Sequence, residues 1–354
     1  MSLKAFLAFP GDLSLPTGGY AYDRQVLAHL PDQGVEIQPL PLPAGFPFPG
    51  AADVTEALAR LTAAARRGVL LVDGLALGAL PQAGLRAIAG PLVALVHHPL
   101  ALEEGLSTEH QANFAASERA ALACCARVIA SSPQTGRILV RDYGVRAETL
   151  TIAEPGTERA ARVPADGSPP RLLAVGTLIP RKGYDVLVRA LAQIADLDWT
   201  LTVIGSRDID LLTASRLEAQ IAEAGLGGRI TLRGAATAEG LAAAYQASDL
   251  FVHPALFEGY GMALAEAMRR GLPILCTTGG AVKDTVPDSA GIKMPPGDAD
   301  ALAQALHRLL TEPATRRAYA DGAFAAGTLL PDWDQTAHRI ASTLRAVQAQ
   351  DQHA

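Results

Sequence analysis

FVHPALFEGYGMALAEAMRRGLPILCT, residues 251–277, decides the fold. Residues 249–253 form a short apolar run, suited to a buried parallel strand, and Pro254 ends it. Phe257-Glu258-Gly259-Tyr260-Gly261 is a tight loop whose two glycines let backbone approach a ligand closely. Residues 262–270 read as a helix, with Met262, Ala265, Glu266 and Arg269 at helical spacing. Gly271 and Pro273 close it, and residues 274–277 are the next buried strand. A glycine loop between a strand and a helix N-terminus is an anion site, because unpaired N–H groups and the positive end of the helix dipole meet there. The amides of Gly259, Tyr260, Gly261 and Met262 are therefore candidates to hold a diphosphate. Glu258 lies in that loop and Glu266 about two helical turns further on. Carboxylates accept pairs of sugar hydroxyls well, so the whole stretch suits a nucleotide-diphosphate sugar.

Working outward, strands and helices alternate along both halves of the chain, which implies α/β architecture with parallel sheets covered on both faces. Strands are predicted at 3–9, 35–38, 69–72, 92–96, 128–131 and 150–153, then at 171–175, 199–204, 230–232, 249–253, 274–277 and 292–294. Residues 39–50, rich in Pro and Gly, read as an extended loop, and 158–170 as an interdomain linker. At 354 residues the chain is long enough for two ordinary domains. The division predicted is 1–160, 161–330, and a last helix within 331–354 that has no strand partner.

Bulk properties exclude several classes. A net charge of −6 leaves no basic footprint for nucleic acid. Three cysteines, two of them adjacent at Cys124 and Cys125, make neither a disulfide framework nor a zinc spacing, and the adjacent pair reads as a small apolar patch on a buried helix. The N-terminal apolar run is too short for a signal peptide or a membrane span and reads as a first strand. A cytoplasmic protein with no transmembrane segment is expected. The basic end of the helix near 54–67 leaves a peripheral membrane contact open. No G-x-G-x-x-G follows the first strand, which disfavours a dinucleotide oxidoreductase.

Glu258-Gly-Tyr-Gly-Met, with Glu266 eight residues on and then Ala-Met-Arg-Arg-Gly-Leu-Pro, resembles the E-x7-E motif of the retaining glycosyltransferases of family 4. That family has the GT-B fold, two Rossmann-like parallel-sheet domains facing a central cleft. The resemblance implies transfer of a hexose-type sugar from a nucleotide-diphosphate sugar to an acceptor hydroxyl. It also implies an N-terminal domain on the acceptor side, a C-terminal donor domain, and a last helix that crosses back to the first domain. No cofactor and no metal are expected, and the resemblance names no base, sugar, acceptor or oligomeric state. A nucleotide-sugar epimerase or hydrolase on the same fold, and a non-catalytic scaffold, remain the competing readings.

LAVGTLIPRKG, residues 173–183, resembles the family's G-R-x-x-x-x-K-G phosphate segment. A strand ends at Gly176, and Arg181 and Lys182 follow where ligands of parallel sheets bind. The segment departs from the pattern at Thr177, where an arginine is common, so Arg181 is the candidate to replace it. Gly18-Gly19 after the first strand matches a family glycine loop, and Gly234 sits where the family makes a backbone contact to the base. His97, in Ala94-Leu95-Val96-His97, matches the family's histidine close to the donor sugar better than His98 does. The resemblance thus implies catalytic roles for His97, Glu258, Arg181 and Lys182, with Glu258 on the sugar and Glu266 on the ribose. His97, His98, Glu103, Glu104 and His110 are neighbours in sequence, but their spacing matches no metal motif. Asp208-Ile209-Asp210 has the D-x-D form that binds metal in the other large glycosyltransferase fold. Lying just before a helix, Asp210 reads better as its N-cap.

Overall fold

A computed structural model describes residues 3–103 and 105–351. The chain divides into a first unit, running to Gly156 and resuming at Pro331, and a second unit, Thr157–Leu330.

The first unit is built on a parallel sheet of β1 (Leu3–Pro10), β2 (Val35–Leu42), β3 (Val69–Asp73), β4 (Leu92–Val96), β5 (Arg127–Ala130) and β6 (Leu150–Ile152), in the order β2-β1-β3-β4-β5-β6. Every residue of β3 and β4 is buried, as expected of strands covered on both faces. β2 is four residues longer than its apolar run suggests and includes Pro39 and Pro41, opposite Leu7 and Phe9 of β1. It is an edge strand, so each proline's missing N–H can fall on the unpaired side. The helix expected to carry the adjacent cysteines spans Thr108–Leu122, its start set by Ser107, whose hydroxyl accepts His110 N–H, and it ends before them. Cys124 and Cys125 lie just beyond its end and are only partly buried.

The second unit repeats the plan with β7 (Arg171–Val175), β8 (Thr200–Ile204), β9 (Ile230–Leu232), β10 (Leu250–His253), β11 (Ile274–Thr277) and β12 (Gly291–Met294), in the order β12-β11-β10-β7-β8-β9. All its pairings are parallel. Strand order reverses between β7 and β10, and in the first sheet between β1 and β3. Loops at such points splay apart and leave a crevice at the C-terminal strand ends.

Residues 158–170 contain no helix or strand but are tied to the second sheet. Buried Asp249 accepts N–H bonds from Gly167 and Arg171, both 2.8 Å, and pairs with the Arg171 guanidinium. The last helix, Trp333–Asp351, packs on the first unit. Thr336 donates to Glu154 O at 2.7 Å, Thr343 and Thr151 share a 3.0 Å hydrogen bond, and the Trp333 ring meets Tyr22 edge-on at 5.5 Å.

Candidate active site

Two of the predicted segments converge at the reversal point of the second sheet. Beyond β7, Pro180–Lys182 forms one 3-10 turn, which Gly183 ends in the left-handed conformation. Beyond β10, the loop 254–261 leads into the helix Met262–Arg269. Lys182 Nζ donates to Glu258 Oε2 at 2.5 Å, and Arg181 lies 3.7 Å from Oε1 while donating to Phe257 O at 2.8 Å. His253, the last residue of β10, places Nε2 3.1 Å from the same Oε2. Gly279 and Gly280, after β11, press on this loop from below: a Cβ on either would lie within about 2.2 Å of the carbonyl oxygen of Leu256 or Glu258. Only residues without a side chain fit there.

Arg181, Lys182 and Glu258 are about 14–15% exposed and His253 is buried, so solvent screens their charges far less than it would at a surface pair. Burial disfavours a charged Glu258, but Lys182, the His253 hydrogen bond and Arg181 together hold its carboxyl well below the usual range. Burial also keeps His253 below its ordinary value, with Lys182 and Arg181 adding to the effect, although Glu258 works the other way. The site is therefore an anionic carboxylate inside a ring of two fixed cations and a largely neutral imidazole.

Glu266 is set differently. Its Oε2 accepts the Tyr245 hydroxyl at 2.9 Å, Arg270 stacks over the Tyr245 ring at 4.7 Å, and burial raises the Glu266 carboxyl. Gly261 precedes the helix with φ +94° and supplies no side-chain cap, and Tyr260 is buried with its carbonyl accepting from Thr285 at 2.8 Å. Gly259 sits in the bend between Glu258 and Tyr260, and Met262 opens the helix. Gly176 has φ +153° and accepts the Tyr184 hydroxyl at 2.9 Å, so a Cβ there would crowd Lys182 and Tyr184 at 3.1 Å. Gly234 has φ +71°, accepts Gly205 N–H at 2.8 Å, and has open space where a Cβ would stand.

In the first unit, Gly18 and Gly19 are not loop residues: they open the helix Gly18–His29, whose start is set by the Thr17 hydroxyl accepting from Tyr20 N–H at 3.3 Å. Gly19 packs on His97, where a Cβ would lie 3.2 Å from Cδ2. His97 Nε2 is 3.3 Å from Asp23 Oδ1, and Tyr22 meets the imidazole edge-on at 5.1 Å. The other sequence neighbours disperse. His98 pairs with Glu103 at 2.7 Å, His110 with Ser107 at 3.0 Å, and Glu104 lies outside the described residues. Asp210 caps the helix Leu211–Glu223 by accepting Thr213 N–H at 2.9 Å. Sequence reasoning missed His253, Tyr245, Asp23 and Asp73. For His253 a signal existed, a polar residue closing an apolar strand five positions before Glu258.

Residues 157–325 match the model of the glycosyl transferases group 1 domain, and residues 12–156 that of the glycosyl transferase 4-like domain. A D-inositol 3-phosphate glycosyltransferase of Streptomyces bingchenggensis is 29% identical over 243 residues, 63% of this chain and 53% of the relative, so the match spans about half that relative's length. Sucrose-phosphate synthase from Thermosynechococcus elongatus superposes with a TM-score of 0.82 at 23% identity, covering 98% of this chain and 100% of the other. Anabaena HepE, solved in complex with UDP-glucose, superposes at 0.79 with 19% identity over 97% of this chain and 100% of its own.

Proposed function

The chain belongs to the GT-B glycosyltransferases of family 4, with a 4-like domain followed by a group 1 domain, and from that premise we propose that it moves a hexose from a nucleotide-diphosphate sugar to an acceptor hydroxyl with retention. The observation that carries the reading is the convergence of Lys182, Arg181 and His253 on Glu258 beside the uncapped N-terminus of the helix Met262–Arg269.

Each part has a task in such a transfer. The helix N-terminus and the two cations favour a diphosphate, and stabilise it more as the sugar leaves and charge accumulates on its bridging oxygen. Glu258 accepts hydroxyls of the sugar, and Glu266, seated on Tyr245, accepts those of the ribose. In a front-face route the C1–phosphate bond breaks as the acceptor oxygen bonds C1 on the same side, and the acceptor proton passes to the leaving phosphate oxygen. His97 is proposed, by the family resemblance, to contact the sugar. Because fixed cations and a helix dipole already neutralise the diphosphate, we propose that no metal is needed.

The test is direct. Calorimetry with UDP, GDP and ADP should find one preferred diphosphate, and with its sugar a new glycoside should form in excess EDTA. UDP goes first because HepE was solved with UDP-glucose. Release of free sugar or an epimer alone would contradict transfer, and activity lost in EDTA and restored by magnesium or manganese would contradict metal independence.

A further inference from the structure

Three ionisable side chains meet where strand order reverses in the first sheet. Asp23, in the helix after β1, and Asp73, the last residue of β3, are buried. With His97, just past β4, each places a ligating atom within 4.8 Å of the others. Asp73 Oδ1 accepts Leu75 N–H at 2.8 Å. Asp23 Oδ1 faces His97 Nε2 at 3.3 Å, while its Oδ2 has no hydrogen-bond donor among the described residues.

The neighbours do not supply that donor. Tyr20 gives its hydroxyl proton to Pro10 O at 2.5 Å and Tyr22 gives its own to Ala153 O at 2.8 Å. A phenol has only one proton to give. Asp12 and Arg339 act on these tyrosines only through their charge, and neither hydrogen-bonds to the aspartates among the described residues. Two buried carboxylates this close resist ionising together, and His97, 3.3 Å from Asp23 Oδ1, offers them a single Nε2–H, so one further proton belongs between the two acids.

We propose that Asp73 donates that shared proton to Asp23 Oδ2, and that Asp23 in turn accepts the Nε2 proton of His97, which makes both aspartates positioning residues for the imidazole. The hydrogen bond at one ring nitrogen decides what the other can do. With Nε2 held by Asp23, Nδ1 is the nitrogen left to meet a substrate, accepting when the ring is neutral and donating when it is charged. Burial, and then the charge of Asp23, push Asp73 up to about 7, against the opposing pull of His97 and the Leu75 N–H. Below that pH the shared proton is present. Above it the second carboxylate ionises, Asp23 Oδ2 loses its donor, the two acids repel, and the grip on His97 loosens.

The proposal relies on the transferase reading only for its activity readout, so its test begins with a measurement that does not. Long-range 1H–15N spectra, with His97 assigned by comparison with His97→Gln, should show the neutral ring as the Nε2–H tautomer. Asp23→Asn should mix the tautomers and lower the His97 pKa by about one unit or more. With UDP-glucose as donor, the same variant should cut kcat roughly tenfold or more with little change in KM. In Asp73→Asn an amide donates where the proton did but does not ionise. That variant should keep the tautomer and lose the alkaline fall in kcat/KM, overtaking the wild type well above pH 7. An unchanged His97 tautomer and pKa in Asp23→Asn, an alkaline limb that persists in Asp73→Asn, or stoichiometric metal in the purified protein by elemental analysis would each overturn it. Should Asp23→Asn fail to fold, the wild-type tautomer and the Asp73→Asn profile still decide. If UDP-glucose is not turned over, the functional reading fails while the spectra continue to judge this one.

Discussion

Glu258 and Glu266 share a motif, but their surroundings separate their work. Glu258 is an anion compensated by Lys182 and Arg181, whereas Glu266 is raised by burial and seated on Tyr245. Glu266→Gln should weaken bare nucleoside diphosphate about ten- to a hundredfold, the equivalent of one charge-assisted hydrogen bond of ~1.5–3 kcal/mol. Glu258→Gln should cut turnover while leaving bare diphosphate affinity unchanged or higher, because Lys182 and Arg181 lose their internal counter-charge. Calorimetry beside transfer kinetics reads both, and equal losses of nucleotide affinity would contradict the division. Of these residues, Glu258, Glu266 and Lys182 were legible because motifs space them, whereas Arg181 was reached only as a substitute for the arginine that the pattern places at Thr177. Asp23 and Asp73 were not, since a single acid in a helix or at a strand end carries no spacing signal.

At the scale of elements, the strand–loop–helix from β10 depends on one backbone conformation. Gly261 has φ +94°, and a Cβ there would also lie 2.7 Å from Leu264 Cδ1. Gly261→Ala should therefore cost about 1–2 kcal/mol for the left-handed backbone, with the clash in addition. It should also displace the helix N-terminus and weaken diphosphate binding. Denaturant unfolding beside nucleotide calorimetry measures this, and an alanine variant as stable and as tight-binding as the wild type would refute it. The glycine was readable as a loop residue, but its handedness became visible only with the helix in place. Likewise, Pro39 and Pro41 read as loop residues until β2 proved to be an edge strand, the sheet position that tolerates proline.

Across the whole molecule, the chain enters its second unit near residue 157 and returns to the first at 331, so the first unit is closed by residues more than 300 apart in sequence. Trp333 anchors that return. It is buried, its ring meets Tyr22 at 5.5 Å and stacks on His29 at 6.5 Å, and Gly156 is pressed so close to its backbone that a Cβ would not fit. Trp333→Ala should cost about 3–5 kcal/mol, as deletion of a buried aromatic does. The loss should fall on the first unit: hydrogen exchange should quicken in β1 and β6 and in the last helix, with β7 and β10 unaffected. Equal quickening in both units would contradict this.

The sequence by itself determined the two runs of alternating strands and helices and the strand–glycine loop–helix with its two acids, because apolar periodicity and glycine placement are local properties of the chain. It also carried the family through one motif. Only the tertiary structure decided which groups face Glu258, that Gly19 serves as a seat for His97, and that Asp23 and Asp73 meet beneath that histidine. These contacts join strand ends brought together by sheet order, and sheet order depends on packing between segments far apart in the chain, which no local pattern encodes.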